Sequence, residues 1–157
     1  MFKRILVPLD GSDLAAKVLS QAEDLAKSFN AQLVLLTVGS EEVGEVVESS
    51  PKAKDEAVAR LPGVKYLQQT AAALQAKNLN ATWVYAQGTP GHVIMTYAAD
   101  HQIDLIIMAT HGAGEIAWLL GSVAQRVVSH SPAPVLLIRV LGPKPPEHKD
   151  ELDYFSM

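Results

Sequence analysis

The sequence contains no cysteine, which excludes disulfides, thiolate nucleophiles and thiolate-bound metals. That absence fits a reducing compartment. There is no basic surplus either, with a formal charge of -4 and an isoelectric point near 5.7. Such a chain exerts no long-range pull on phosphate backbones, which removes nucleic acid as the main partner. Binding of a single anion by backbone N–H groups needs no net positive charge and stays open. No apolar stretch approaches the ~20 residues of a membrane-spanning helix. The N-terminal apolar run is cut by Pro8 and Asp10 and is too short for a secretory signal. The expected location is therefore the cytoplasm, with no membrane partner. A G-x-x-x-x-G-K-S/T run is also missing, so this is not a P-loop enzyme.

What is present is the composition of one globular domain: 157 residues, 48% of them hydrophobic and 19% charged. Arg4 to Leu9 is a short apolar run rich in β-formers, as expected of a strand buried on both faces. Asp10-Gly11-Ser12-Asp13 follows as a turn and cap cluster, with Ser12 the expected N-cap. Ala15, Val18, Leu19, Ala22, Leu25, Ala26 and Phe29 then share one helical face. Leu33 to Val38 is a second apolar strand. Residues 40–62 are acidic and rich in turn formers and read as a loop with one helical turn. A helix from Val64 to about Asn78, a strand over 82–86, and a helix opened by Gly88-Thr89-Pro90 come next. Ile103 to Met108 is the most apolar strand, Gly121-Ser122 begins a helix, and Pro134 to Val140 is the last strand.

This alternation predicts an α/β fold, a single-domain doubly wound sheet of five parallel strands with helices on both faces. The domain is expected to span residues 1–142, with 143–157 as a polar, proline-stiffened tail. In such sheets ligands sit beyond the carboxyl ends of the strands, where strand order reverses. That directs attention to the loops after Leu9, Val38 and Met108. Gly112 allows close backbone approach after a strand. Gly121, Ser122 and Val123 stand at a helix start, whose free N–H groups and dipole suit an anion. The plainer reading makes both glycines turn residues, Ser122 an N-cap and Asp10 the cap of the next helix. His111 is equally suited to a phosphate contact and to a loop hydrogen bond.

Several other features carry less. Gly112-Ala113-Gly114-Glu115-Ile116-Ala117 matches G-x-G-x-x-A, but it follows the fourth strand and lacks the acidic residue about twenty positions on. The histidines at 92, 101, 111, 130 and 148 show no metal-ligand spacing. Tyr97 reads as core, Trp118 as packing onto the sheet, and Glu41, Glu42, Glu45 and Glu48 as a solvated charge run.

Three separated motifs in order resemble the universal stress protein family: Ile5-Leu6-Val7-Pro8-Leu9-Asp10-Gly11-Ser12, then Met108-Ala109-Thr110-His111-Gly112 with Leu119-Leu120-Gly121-Ser122-Val123-Ala124, and finally Pro132 to Ile138. The likeness covers about residues 2 to 140. It implies the strand order 3-2-1-4-5, ATP or another adenine nucleotide as ligand with Mg2+ as an optional companion, and a regulatory or stress-response role. By that resemblance Asp10 meets the ribose, while Pro8, Leu9, Val38 and Met108 line the base pocket. Ala109, Gly112, Gly121 and Ser122 stand at the positions of the family's phosphate pattern, with Val123 beside them at the helix start and His111 open to either role. The chain departs from the family's G-x2-G-x9-G-S/T pattern twice, with Ala109 at the first glycine and eight residues between Gly112 and Gly121. A Cβ at 109 matters little in extended backbone and much at positive φ.

The resemblance also implies a homodimer through the strand at 134–140, an apolar edge that needs a cover, and an unidentified protein partner. Two alternatives stay open: a dimeric interaction module that holds no nucleotide, and a slow ATP hydrolase, for which only Asp10 and His111 offer themselves.

Overall fold

A computed structural model of the chain describes residues 1–39, 47–48, 56–112 and 119–139. The tail, Trp118, Glu41, Glu42 and Glu45 lie outside them. In chain order the elements are β1 (Arg4–Pro8), α1 (Ala15–Phe29), β2 (Gln32–Gly39), β3 (Val47–Glu48), α2 (Glu56–Ala59), α3 (Pro62–Gln75), β4 (Ala81–Gln87), α4 (Pro90–Asp100), β5 (Leu105–Ala109), α5 (Ser122–His130) and β6 (Val135–Ile138).

The sheet order is β3-β4-β2-β1-β5-β6. Its five long strands are parallel, in the register Ile5↔Leu33, Leu33↔Ala81, Ile5↔Leu105 and Ile106↔Val135. Counted without β3, this is the expected order 3-2-1-4-5. The addition is β3, two residues that pair antiparallel with Tyr85 and Val84 and cover the β4 edge.

Both faces of the sheet are buried because the strands are apolar at consecutive positions, not at alternate ones. Ile5, Val7, Leu33, Leu35 and Ile107 face α1 and α3. Leu6, Val34, Leu36, Ile106 and Met108 face α4 and α5. The N-terminal edge of β1 is tied to the start of β5 by Asp104, whose carboxylate accepts the backbone N–H groups of Lys3 and Arg4 at 2.8 and 3.2 Å. Tyr97 is core as expected, its ring stacked on His101 at 3.9 Å.

One local expectation is corrected. Ser12 does not cap α1; the cap position is Leu14, which makes no side-chain cap bond. The Asp10 carboxylate instead accepts the Ser12 N–H at 3.0 Å. This closes an Asx-type turn that uses the cap cluster before the helix begins.

Candidate functional site

The chain leaves β1 toward β2 on one side, while β5 and β6 lie on the other, so the sheet reverses order between β1 and β5. A cleft of about 230 Å³ opens there, as the geometry of doubly wound sheets requires. Pro8, Leu9 and Asp10 come from the end of β1, Val38 from β2, Met108, Ala109, His111 and Gly112 from β5 and its loop, and Gly121 and Val123 from the start of α5. Ten of the eleven residues singled out in the sequence therefore share one wall system.

Backbone bonds hold these strand ends in place. The Leu9 N–H donates to the Leu36 carbonyl at 2.8 Å, and the Thr37 hydroxyl donates to the Leu9 carbonyl at 3.0 Å. The Thr110 N–H donates to the Ile138 carbonyl at 3.1 Å. Ala109 closes β5 in extended backbone and is absent from the positive-φ positions. Alanine in place of glycine there carries no backbone strain.

Two expectations about the anion end are corrected. The Gly121 N–H is not available to a ligand, because it donates to the Thr110 carbonyl at 2.6 Å. This bond ties the start of α5 to the end of β5. Ser122, the eleventh residue, is exposed and stays outside the lining. It occupies the first position of α5, and the ~100° turn per residue carries Val123 and Ala124 toward the cleft instead. The first turn of α5, with its end of the helix dipole, thus reaches the cleft at Val123 and Ala124.

Leu36, Val38, Ile94 and Met108 supply apolar lining. Asp10 and His111 are the titratable groups among the described lining. His111 is 6% exposed, with Nδ1 3.3 Å from the Thr110 hydroxyl, so it makes the loop contact and borders the cleft at once. The field of Asp10 reaches α3: burial pushes the Tyr66 hydroxyl above its ordinary pKa, a hydrogen bond with Thr70 opposes, and the Asp10 charge adds to the rise. The neutral phenol therefore favours the fold up to the ordinary tyrosine range, and that contribution is lost as pH climbs through the raised value. Among the described residues no three His, Asp or Glu side chains converge to hold a metal. A Mg2+ ion would have Asp10 as its carboxylate in the cleft.

Leu14, Val18, Leu36, Pro90, Ile94 and Ala124 also line the cleft and were not foreseen. Leu36 carried a signal, since residues two apart on a strand share a face with Val38. The others belong to helices on opposite sheet faces, and sequence spacing does not bring them together.

The sequence pattern of the universal stress protein family matches residues 1–139. The chain is 35% identical over 152 residues to universal stress protein YxiE of Bacillus subtilis (strain 168), covering 88% of this chain and 100% of that one. It superposes on the universal stress protein UspA from Lactobacillus plantarum with a TM-score of 0.70 and 27% identity, covering 88% and 98% of the two chains. A universal stress protein solved in complex with cAMP superposes with a TM-score of 0.66 and 23% identity over 88% and 97% of the chains. Among the described residues no helix is long and apolar enough to cross a membrane.

Proposed function

This chain belongs to the universal stress protein family, and on that premise we propose that its cleft holds an adenine nucleotide whose occupancy serves a regulatory or stress-response role in the cytoplasm. The observation that carries the reading is the convergence of three strand ends and a helix start on one cleft, lined by apolar side chains together with Asp10 and His111. The base lies among Leu36, Val38 and Met108, excluded from water. Asp10 accepts hydrogen bonds from ribose hydroxyls, and a phosphate sits toward Gly112, His111 and the first turn of α5. A universal stress protein of the same fold solved in complex with cAMP supports an adenine nucleotide as the ligand class.

Protein purified without added ligand, denatured and analysed by mass spectrometry, is expected to release adenine nucleotide in a fixed ratio to chain. No release, together with no heat of binding on titration with adenosine, AMP or ATP, would leave the interaction module as the reading.

The same proposal includes a homodimer through β6. β3 covers the opposite edge of the sheet, while β6 pairs on one side with β5 and exposes Leu136 to 38%. Val128 of α5 and Leu119 and Leu120 before it are also exposed. An apolar edge strand with unpaired backbone groups is stable in water when a second strand covers it. Leu136→Glu is expected to convert the dimer to a folded monomer, read by sedimentation velocity beside an unchanged circular dichroism spectrum. A wild-type monomer at micromolar concentration would refute the arrangement.

A further inference from the structure

Beside the core tyrosines and Trp83, two polar side chains are buried among the described residues, Thr37 and His111. Thr37 is satisfied, because its hydroxyl donates to the Leu9 carbonyl at 3.0 Å. His111 is satisfied at one end of its ring only. Nδ1 lies 3.3 Å from the Thr110 hydroxyl, while Nε2 has no hydrogen-bond partner among the described residues. A polar group so little exposed to water is normally hydrogen-bonded. This one borders the cleft, where a ligand can supply the missing partner.

The ring is held in place through Thr110. The N–H of Thr110 donates to the Ile138 carbonyl at 3.1 Å, and its carbonyl accepts the Gly121 N–H at 2.6 Å. The chain is therefore pinned to β6 and to the start of α5 one residue before His111. Asp10, from the end of β1, is the charged group that shares the described lining with it. β2, α1, α4 and α5 bring no ionisable side chain to that lining. Arg126 of α5 lies against Gly91 and Arg139 is exposed just past β6, both outside the lining. His111 is thus the one lining side chain among the described residues that can become cationic.

We propose, on the reading above that the cleft takes adenine nucleotides, that His111 is the residue by which the cleft tells a phosphorylated adenosine from adenosine: Nε2 donates to the phosphate, and Thr110 is a positioning residue that orients the ring through Nδ1. With the Thr110 hydroxyl donating to Nδ1, the neutral ring carries its proton on Nε2 and offers a donor to the cleft. The protonated ring offers the same donor with a full positive charge, and the hydroxyl turns to accept from Nδ1. A hydrogen bond between two charged groups is about twice as strong as one between neutral groups. Adenosine, without a phosphate, gains from neither form.

The test is calorimetric titration of the full chain with adenosine and with cyclic AMP between about pH 8 and about pH 6, where histidine changes charge. The cyclic diester keeps one negative charge over that span, so a change in affinity reports the protein. Cyclic AMP is expected to bind several-fold tighter at the lower pH, and adenosine is not. His111→Phe is expected to weaken cyclic AMP about tenfold more than adenosine, the loss of one hydrogen bond to a charged group. His111→Gln keeps a donor that cannot be charged, so it removes the pH dependence and spares most of the affinity at the higher pH. Thr110→Val weakens cyclic AMP several-fold and Thr110→Ser restores it, a rescue that a role in packing would not show. Equal losses for both ligands in His111→Phe, or a pH dependence that survives His111→Gln, overturn the assignment and leave the adenine-nucleotide reading standing. Should His111→Phe fail to fold, the pH profile of His111→Gln decides alone. Failure of both ligands to bind the unaltered chain overturns the adenine-nucleotide reading itself.

Discussion

Gly39→Ala is expected to destabilise the protein by about 3 kcal/mol, the upper range for overpacking a closed core. The backbone conformation is not the reason, because Gly39 ends a regular strand paired with Gln87 and lies outside the positive-φ positions. The reason is Tyr85. A Cβ at position 39 would coincide with the phenol hydroxyl and ring carbon of Tyr85, which is 2% exposed. Gly63 lies against the same ring, where an added Cβ would stand 2.6 Å from Cε2. Two glycines thus frame one tyrosine, and their closeness lets the end of β2 and the start of α3 lie on β4. The measurement is chemical denaturation of Gly39→Ala, Tyr85→Leu and the double variant. A positive coupling, with the double variant more stable than the sum of the single losses, is expected. Strict additivity would mean that the ring does not limit position 39. The consequence extends to the site, because the end of β2 presents Val38 to the cleft.

Gly121→Val should lower adenine-nucleotide affinity by more than about tenfold, or 1.4 kcal/mol, while the fold persists. Gly121 has φ -63 and ψ 156, extended backbone that valine adopts without strain. Its N–H would still reach the Thr110 carbonyl, and its carbonyl would still accept the Gln125 N–H at 2.9 Å. The inner face of α5, Ala124 and Val127, is untouched. What changes is a cleft wall, where two methyl groups replace hydrogen at a buried lining position. Calorimetry against AMP and thermal unfolding separate the two effects. Unchanged affinity would remove the anion end from the first turn of α5, and collapse of the melting transition would show that Gly121 is needed for folding instead.

The sheet was legible in the sequence because each parallel strand is a continuous apolar run, and that run is the direct imprint of burial on both faces. Residues at the strand ends were legible for the same reason: once the strands are placed, topology puts Pro8, Val38 and Met108 on one edge. The exposure of Ser122 was not legible, because a glycine-serine pair marks where a helix starts and does not say which way its first turn points.

The sequence by itself therefore determined the alternation of strands and helices and the apolar character of both sheet faces, since composition and local periodicity act within a few residues. The tertiary structure alone decided that Thr110 takes the Gly121 amide, that Leu14 and Ile94 close one cleft from opposite faces, that β3 covers one edge, and that Tyr85 occupies the space two glycines leave. Each is a contact between segments distant in the chain, and only packing in three dimensions selects among the many partners that sequence permits.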